Sequence, residues 1–247
     1  MEEMVERFFF SSSARKHGED PNKCSDSSMV LVSGPLNGGK TSLLFQFAFN
    51  SASEDPSGDV VFICNKRKLE SKPPFLSQGI DPSSDEFCRI RMKYIEDDDG
   101  IRKYFSAFHL LETFPKSVII DDFGDFFSDR SCQGKYGNTR GRDLAMVRTL
   151  ALCRDALYHA NERLKPGGPC KLLLCDTHHG DSPRLLYIYK RWVPRIFIVK
   201  GKHFECDGMG SFTLKDSSSS ANTSKGAKVV KYSIALQYLV LEGMIDG

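Results

Sequence analysis

The run GPLNGGKTS, residues 34–42, lies between two apolar segments, MVLVS before it and LLFQFAF after it. Nothing else in the chain constrains its fold as tightly. Gly34, four residues, then Gly39-Lys40-Thr41 is the spacing of a phosphate-cradling turn, which works only between a buried strand and a helix. Main-chain N–H groups converge on phosphate oxygens where no Cβ blocks the approach, and Gly34, Gly38 and Gly39 supply that freedom. The helix behind the turn adds the positive end of its dipole. The pattern assigns Gly34, Pro35, Leu36, Asn37, Gly38, Gly39, Lys40, Thr41 and Ser42 to holding ATP. Lys40 reaches the outer phosphates and the Thr41 hydroxyl binds Mg²⁺.

A metal held this way needs a carboxylate behind it. The segment VIIDD, residues 118–122, supplies one at the end of an apolar strand. Asp121 is the first choice for the metal's carboxylate, with Asp122 second, so Lys40 and Asp121 form the expected catalytic pair. Hydrolysis also needs a group that orients water. In one large class of phosphate-loop ATPases a Glu does this, just past the strand that follows the phosphate-loop helix. Here that strand, VVFIC, runs into Asn65-Lys66-Arg67-Lys68, where no acid stands. Glu70 and Asp122 are the substitutes within reach. The three cations either meet phosphate, meet a partner, or form a solvated basic turn. The expectation is nucleotide binding with weak or partner-dependent hydrolysis. The alternative is a nucleotide-binding scaffold without turnover.

Periodicity places the rest. Met29–Ser33 and Val60–Cys64 read as buried strands, and Thr41–Asn50 as a helix buried on more than one side. Cys88–Tyr94 alternates Ile90, Met92 and Tyr94 with Arg89, Arg91 and Lys93, as a strand near a sheet edge does. Ile101–Thr113 has helical spacing, Val118–Ile120 is a short strand, and a long helix spans about Asp143–Lys165 before Pro166-Gly167-Gly168-Pro169. Leu172–Cys175, Arg195–Lys200, Ser211–Leu214 and Val229–Leu241 read as later strands. Alternating strands and helices predict an α/β fold with a mainly parallel central sheet flanked by helices and antiparallel strands at the C-terminal end. Residues 1–27 read as a flexible N-terminal segment, 28–247 as one domain, and 216–228, DSSSSANTSKGAK, as a flexible loop.

The balance of 34 Lys+Arg against 32 Asp+Glu gives +2, so any nucleic-acid surface must be a local patch. None of the eight cysteines forms a Cys-x-x-Cys pair, which points to reduced, buried thiols and away from a zinc site. The N-terminus lacks a basic start and a long apolar core, and no apolar run approaches membrane-spanning length, so no membrane partner is expected. Phe8, Phe9 and Phe10 either dock on a neighbouring protomer or pack onto their own domain.

The segment after Asp121 resembles the ATPase core of RecA-like strand-exchange recombinases and their paralogues. YGNTRGRD, residues 136–143, resembles the loop beyond the acidic strand. Leu144–Leu164 resembles the long Arg/Leu-rich helix, KLLLCDTHH the sensor strand, and PRIFIVKGK the strand that follows. Within that family the chain is most similar to the small ATPase subunit of the Shu-type complex, which associates with a SWIM-type zinc-finger protein. The shared features are the LLF after the phosphate loop, the basic turn after the second strand, and RIRMKY at 89–94. The resemblance spans residues 29 to about 245. It implies a RecA-like fold, ATP and Mg²⁺ as ligands, and a nuclear role in homologous recombination and DNA repair. The implied partners are single-stranded DNA, a SWIM-type zinc-finger protein, and a recombinase or its paralogues. It places the sensor at Thr177 and His178. DNA contacts fall on Arg130, Lys135, Arg140 and Arg142, which are otherwise a solvated loop. Phe45-Gln46-Phe47-Ala48 matches the Phe-x-x-Ala grip of recombinase protomers, although burial in the helix explains it better.

Overall fold

The computed structural model describes residues 8–9, 28–56, 58–127, 135–164, 168–178, 185–203, 210–217 and 228–246. Strand β1, Met29–Gly34, leads through the phosphate turn into helix α1, Lys40–Glu54. Strand β2, Val60–Cys64, is followed by a short helix α2, Lys66–Ser71. After a 3₁₀ turn come β3, Ile90–Tyr94, helix α3, Asp98–Ser106, and β4, Ser117–Ile120. A 3₁₀ turn at Phe123–Phe127 precedes the long helix α4, Thr139–Leu164. Strand β5, Lys171–Thr177, and helix α5, Leu186–Trp192, lead to β6, Arg195–His203. The chain closes with β7, Gly210–Asp216, β8, Lys228–Ala235, and β9, Tyr238–Asp246.

The strands form one sheet in the order β3-β2-β4-β5-β1-β6-β7-β8-β9. Strands β1 to β6 pair in parallel, and β7, β8 and β9 extend the sheet antiparallel from β6. This is the expected α/β architecture. β3 pairs only with β2 and stands at the edge, as its alternation predicts.

Two cores sandwich the sheet. One gathers α1 with Phe62, Phe197, Phe212, Tyr232 and Ile234. The other gathers α3, α4, α5 and the Phe123–Phe127 turn against Leu31, Ile120 and Leu174. α1 is apolar on most sides but carries a stripe of Ser42, Gln46 and Asn50 at successive i, i+4 positions, all buried. That stripe has a backbone to satisfy: Ser42 Oγ accepts from the Phe75 N–H at 2.9 Å, and Gln46 Oε1 from the Ser77 N–H at 2.9 Å. In return the Leu76 carbonyl accepts from the Leu239 N–H at 3.0 Å. An irregular segment is thereby fixed between α1 and β9 without regular structure of its own. Phe47 and Ala48 of the FQFA run are buried in this core, and Phe45 packs at its rim, 5.3 Å from the Phe62 ring.

Several boundaries differ from the sequence reading, each for a local reason. α1 runs four residues past Asn50, and α4 begins at Thr139, where Asn138 Oδ1 accepts from the Gly141 N–H at 2.8 Å. α3 starts at Asp98 because Asp97 caps it, accepting from the Gly100 N–H at 2.9 Å, and it stops at Ser106 before a separate turn, Phe108–Leu110. The basic turn after β2 is a helix, capped by the Asn65 side chain. The segment 229–241 is broken by a tight turn at Leu236 and Gln237, with φ of 50° and 65°. Those positive angles match the twist of a two-residue hairpin, and neither residue is the usual glycine or asparagine. Of the expected loop 216–228, Asp216 and Lys228 belong to strands, and 218–227 lies outside the described residues.

Phe8 and Phe9 pack onto their own domain. Phe8 is fully buried, with its ring 5.7 Å from Phe47 and 5.9 Å from Phe197, and Phe9 lies 5.6 Å from Tyr232. Phe10 lies outside the described residues. Removing a buried phenylalanine leaves a cavity as well as losing its transfer energy, so Phe8→Ala is expected to lower stability by roughly 3–5 kcal/mol in urea unfolding. Phe10→Ala serves as the comparison.

Candidate functional site

The phosphate turn stands at the C-terminal end of the parallel sheet, where ligands of open α/β folds bind. Gly34 is required by packing: a Cβ there would lie 2.6 Å from Val199 Cβ on β6. Gly39 is required twice, by a φ of 71° and by Ile234 Cδ1, which would stand 2.6 Å from its Cβ. Between them the Gly38 N–H donates to the Pro35 carbonyl at 3.2 Å. The Tyr232 hydroxyl donates to the Gly38 carbonyl at 2.6 Å, so β8 holds the turn from the far side of the chain. Asn37, also at positive φ, accepts from Lys72 Nζ at 2.8 Å. Leu36 is exposed.

Lys40 and Thr41 open α1. Lys40 is buried, and its Nζ donates to the Pro35 carbonyl at 2.6 Å, which puts the ammonium inside the turn. The Thr41 hydroxyl donates to Asp121 Oδ2 at 3.0 Å, joining residues 80 apart in sequence. The Ser42 hydroxyl oxygen accepts from the Phe75 N–H.

Asp121 follows β4 directly, and its N–H donates to the Ile63 carbonyl at 2.9 Å, so the sheet ladder fixes it. Burial, and then the neighbouring Asp122, push its carboxyl up to about 6. Its Oδ1 is buried without a nitrogen or oxygen partner, and the Cys175 thiol bonds the carboxylate. Such an atom is costly unless something else meets it, and a cation held between Thr41 and Asp121 would do so. The residues present therefore fit Mg²⁺ with a triphosphate: amides and Lys40 on the phosphates, Thr41 and Asp121 on the metal side.

Asp122 takes a left-handed φ of 49°, which is uncommon away from glycine. Its Oδ1 accepts from the Thr177 hydroxyl at 2.6 Å, and its Oδ2 lies 3.8 Å from Lys68 Nζ. The expected sensor residues are thus tied to named partners. Thr177 holds Asp122. His178 is buried, its ring Nδ1 3.0 Å from Ser33 Oγ and its N–H donating to the Gly34 carbonyl at 3.0 Å. β5 lies between β1 and β4, so Thr177 and His178 sit between the phosphate turn and the acidic pair.

A cavity of about 350 Å³ opens beside this group, lined by Asn65, Lys68, Glu96, Asp121, Asp122, Asp125 and Phe126. Two of those acids went unnoticed in the sequence. Glu96 follows β3, the strand beside β2, and Asp125 sits in the 3₁₀ turn after β4. Lys68 of α2 pairs with Asp125 and neighbours Asp122. Burial opposes its charge, but Asp125 and Asp122 outweigh burial and hold its pKa above the ordinary lysine range. Lys66 and Glu70 pair with each other on the exposed surface of α2, 3.8 Å apart.

The expected DNA-contacting residues are distributed unevenly. Lys135 Nζ pairs with Asp99 at 2.5 Å and with Asp98 at 3.6 Å, and the Tyr136 hydroxyl meets Asp98 at 2.5 Å. Arg140 is exposed and Arg142 half-buried, both in the first turn of α4, while Arg130 lies outside the described residues.

The structure is similar to that of a KaiC-like protein from the hyperthermophilic archaeon Pyrococcus horikoshii, with a TM-score of 0.58 and 16% identity, covering 88% of this chain and 90% of that one. The fold is RecA-like. At this identity the likeness carries the fold alone. No protein-family model matches the sequence, and no curated protein matches it either. Among the described residues no helix is long and apolar enough to cross a membrane.

Beside the site lies Asp176, buried, with its carboxylate so close that a Cβ on Gly124 would lie 2.3 Å from Oδ1. Burial above all, with Asp122 and Asp125 adding to it, raises its pKa from an ordinary 3.8 to about 7. The folded chain then keeps a proton that the unfolded chain releases between about pH 4 and 7, so this residue's contribution to stability falls as pH rises through that window. Asp176→Asn is expected to remove that fall, on the order of 3 kcal/mol between the two ends. Unfolding by urea at pH 4.5 and pH 7.5 measures it.

Proposed function

We propose that the chain binds ATP with Mg²⁺ at residues 34–42 and turns it over slowly, as a RecA-like subunit that supports homologous recombination. The observation that carries the nucleotide reading is the 3.0 Å bond from the Thr41 hydroxyl to Asp121 Oδ2, with the Lys40 ammonium inside the turn above it. Thr41 and Asp121 would hold the metal, which supplies Lewis-acid neutralisation of charge on the phosphates. The Gly38 and Gly39 amides and Lys40 orient the phosphates and offset their charge. Glu96 is the acid placed to orient water, since it lines the cavity that Asp121 shares and, unlike Asp122 and Asp125, has no ion pair to Lys68 among the described contacts.

The recombination reading rests on the sequence resemblance. YGNTRGRD supplies two cations in the first turn of α4, the exposed Arg140 and the half-buried Arg142. Cations oppose the dipole at that end of a helix, so an external polyanion, single-stranded DNA, would relieve a local repulsion. A SWIM-type zinc-finger protein, a recombinase or its paralogues, and a nuclear location complete this proposal.

One observation favours a second reading, a nucleotide-binding scaffold without turnover. Lys68 reaches into the cavity and pairs with two of its acids, which lowers the negative charge available to activate water. Turnover with and without single-stranded DNA separates the readings. Lys40→Ala is expected to cut turnover at least tenfold, and Glu96→Gln by about 10²-fold, the scale of a lost general base. Equal phosphate release from wild type and Lys40→Ala would leave only the scaffold.

A further inference from the structure

The carboxylate of Asp121 is flanked by sulfur. β2 and β5 lie on either side of β4, with Ile63 and Leu174 both in register with Ile120. One residue further along each strand, Cys64 and Cys175 stand on either side of Asp121, and both thiols are free and buried. Cys175 is the closer in chemistry: its Sγ, a carboxylate oxygen of Asp121 and one of Asp122 all lie within 4.8 Å of one another. Two further facts mark this cluster as a seat for a ligand. Asp121 Oδ1 is buried with no nitrogen or oxygen partner, and the Cys175 thiol is the sulfur group that bonds the Asp121 carboxylate. Asp121 and Asp122 also line the 350 Å³ cavity, which gives an ion a path to a thiol that solvent does not otherwise reach.

A magnesium seat needs oxygen alone, and Mg²⁺ gains nothing from sulfur. One thiolate with two carboxylates is instead a donor set for a softer divalent ion. We propose that Cys175, Asp121 and Asp122 form a binding site for a thiophilic divalent cation of the zinc class, with its remaining position open to the cavity. Zinc bonds of about 2.3 Å to sulfur and about 2.0–2.2 Å to oxygen, at the tetrahedral angle, put such donors roughly 3.4–3.7 Å apart, so side-chain rotations must draw the set together by up to about 1 Å on binding. On binding, the Cys175 S–H proton goes to solvent, a metal–sulfur bond forms, and nothing is oxidised or reduced. Asp122 trades the Thr177 hydroxyl for the metal, and the Lys68 ammonium 3.8 Å away is displaced. Asp121 is shared with the proposed Mg²⁺ seat, so the two ions exclude each other. The inference itself does not rest on nucleotide binding.

Cadmium chloride is the probe, because cadmium–thiolate bonds absorb in the ultraviolet where magnesium is silent. The full chain, freed of metal and nucleotide and kept reduced, is titrated while that band is followed. Wild type is expected to bind one tight Cd²⁺ that Cys175→Ser and Asp122→Asn each weaken at least tenfold, while the exposed Cys88→Ser leaves it unchanged. Equal stoichiometry and affinity in Cys175→Ser, with its circular dichroism intact, would overturn the site. Should Cys175→Ser fail to fold, Asp122→Asn decides: unchanged cadmium affinity there overturns it equally. Loss of the nucleotide reading would appear separately, as absence of ATP binding in a chain that still takes up cadmium.

Discussion

The phosphate turn is held from behind, and the site depends on that support. Backbone amides can grip phosphate only if the turn keeps its shape before the ligand arrives. Here Val199 fills the space beside Gly34, Ile234 fills the space beside Gly39, and the Tyr232 hydroxyl bonds the Gly38 carbonyl. All three come from β6 and β8, strands late in the chain. The antiparallel extension of the sheet thus supports the proposed nucleotide site, and Phe9 packed against Tyr232 links the N-terminal segment to the same turn.

On the other side of the turn the chain concentrates acid. Asp121 is fixed by the ladder to β2, Asp122 by its left-handed backbone and Thr177, and Asp176 is buried beside Gly124. Burial first, and then the neighbouring carboxylates, hold both Asp121 and Asp176 above the ordinary carboxylate range. Lys68 offsets part of that charge, using a residue of the segment that read as a basic turn. The proposed cation, whether magnesium with nucleotide or a thiophilic ion with Cys175, would complete the same balance from outside.

The loop beyond Asp121 is anchored as well as charged. Lys135 and Tyr136 bond to Asp98 and Asp99 at the start of α3, and Lys135 also lies 5.3 Å from the Tyr136 ring centre. These contacts consume one of the cations that resemblance assigns to DNA and leave Arg140 exposed at the head of α4.

The sequence alone determined whatever acts through neighbouring residues. Strand, turn and helix around Gly34–Ser42 were legible because the phosphate turn needs its glycines, Lys40 and Thr41 at fixed spacing along one backbone. The apolar run ending in Asp121 was legible for the same reason, and so was the parallel sheet, through the lengths of its alternating segments. Only the tertiary structure decided which distant groups share the site. Glu96 and Asp125 face one cavity because β3, β2 and β4 are neighbours in the sheet, an order no local pattern encodes. Tyr232 reaches Gly38 across 194 residues for a similar reason. The Leu236-Gln237 turn escaped notice because its twist is imposed by paired strands and not by glycine. Phe8 and Phe9 remained ambiguous in the sequence because an aromatic pair serves any apolar hollow, and the hollow between α1, Phe197 and Tyr232 exists only once the sheet has formed.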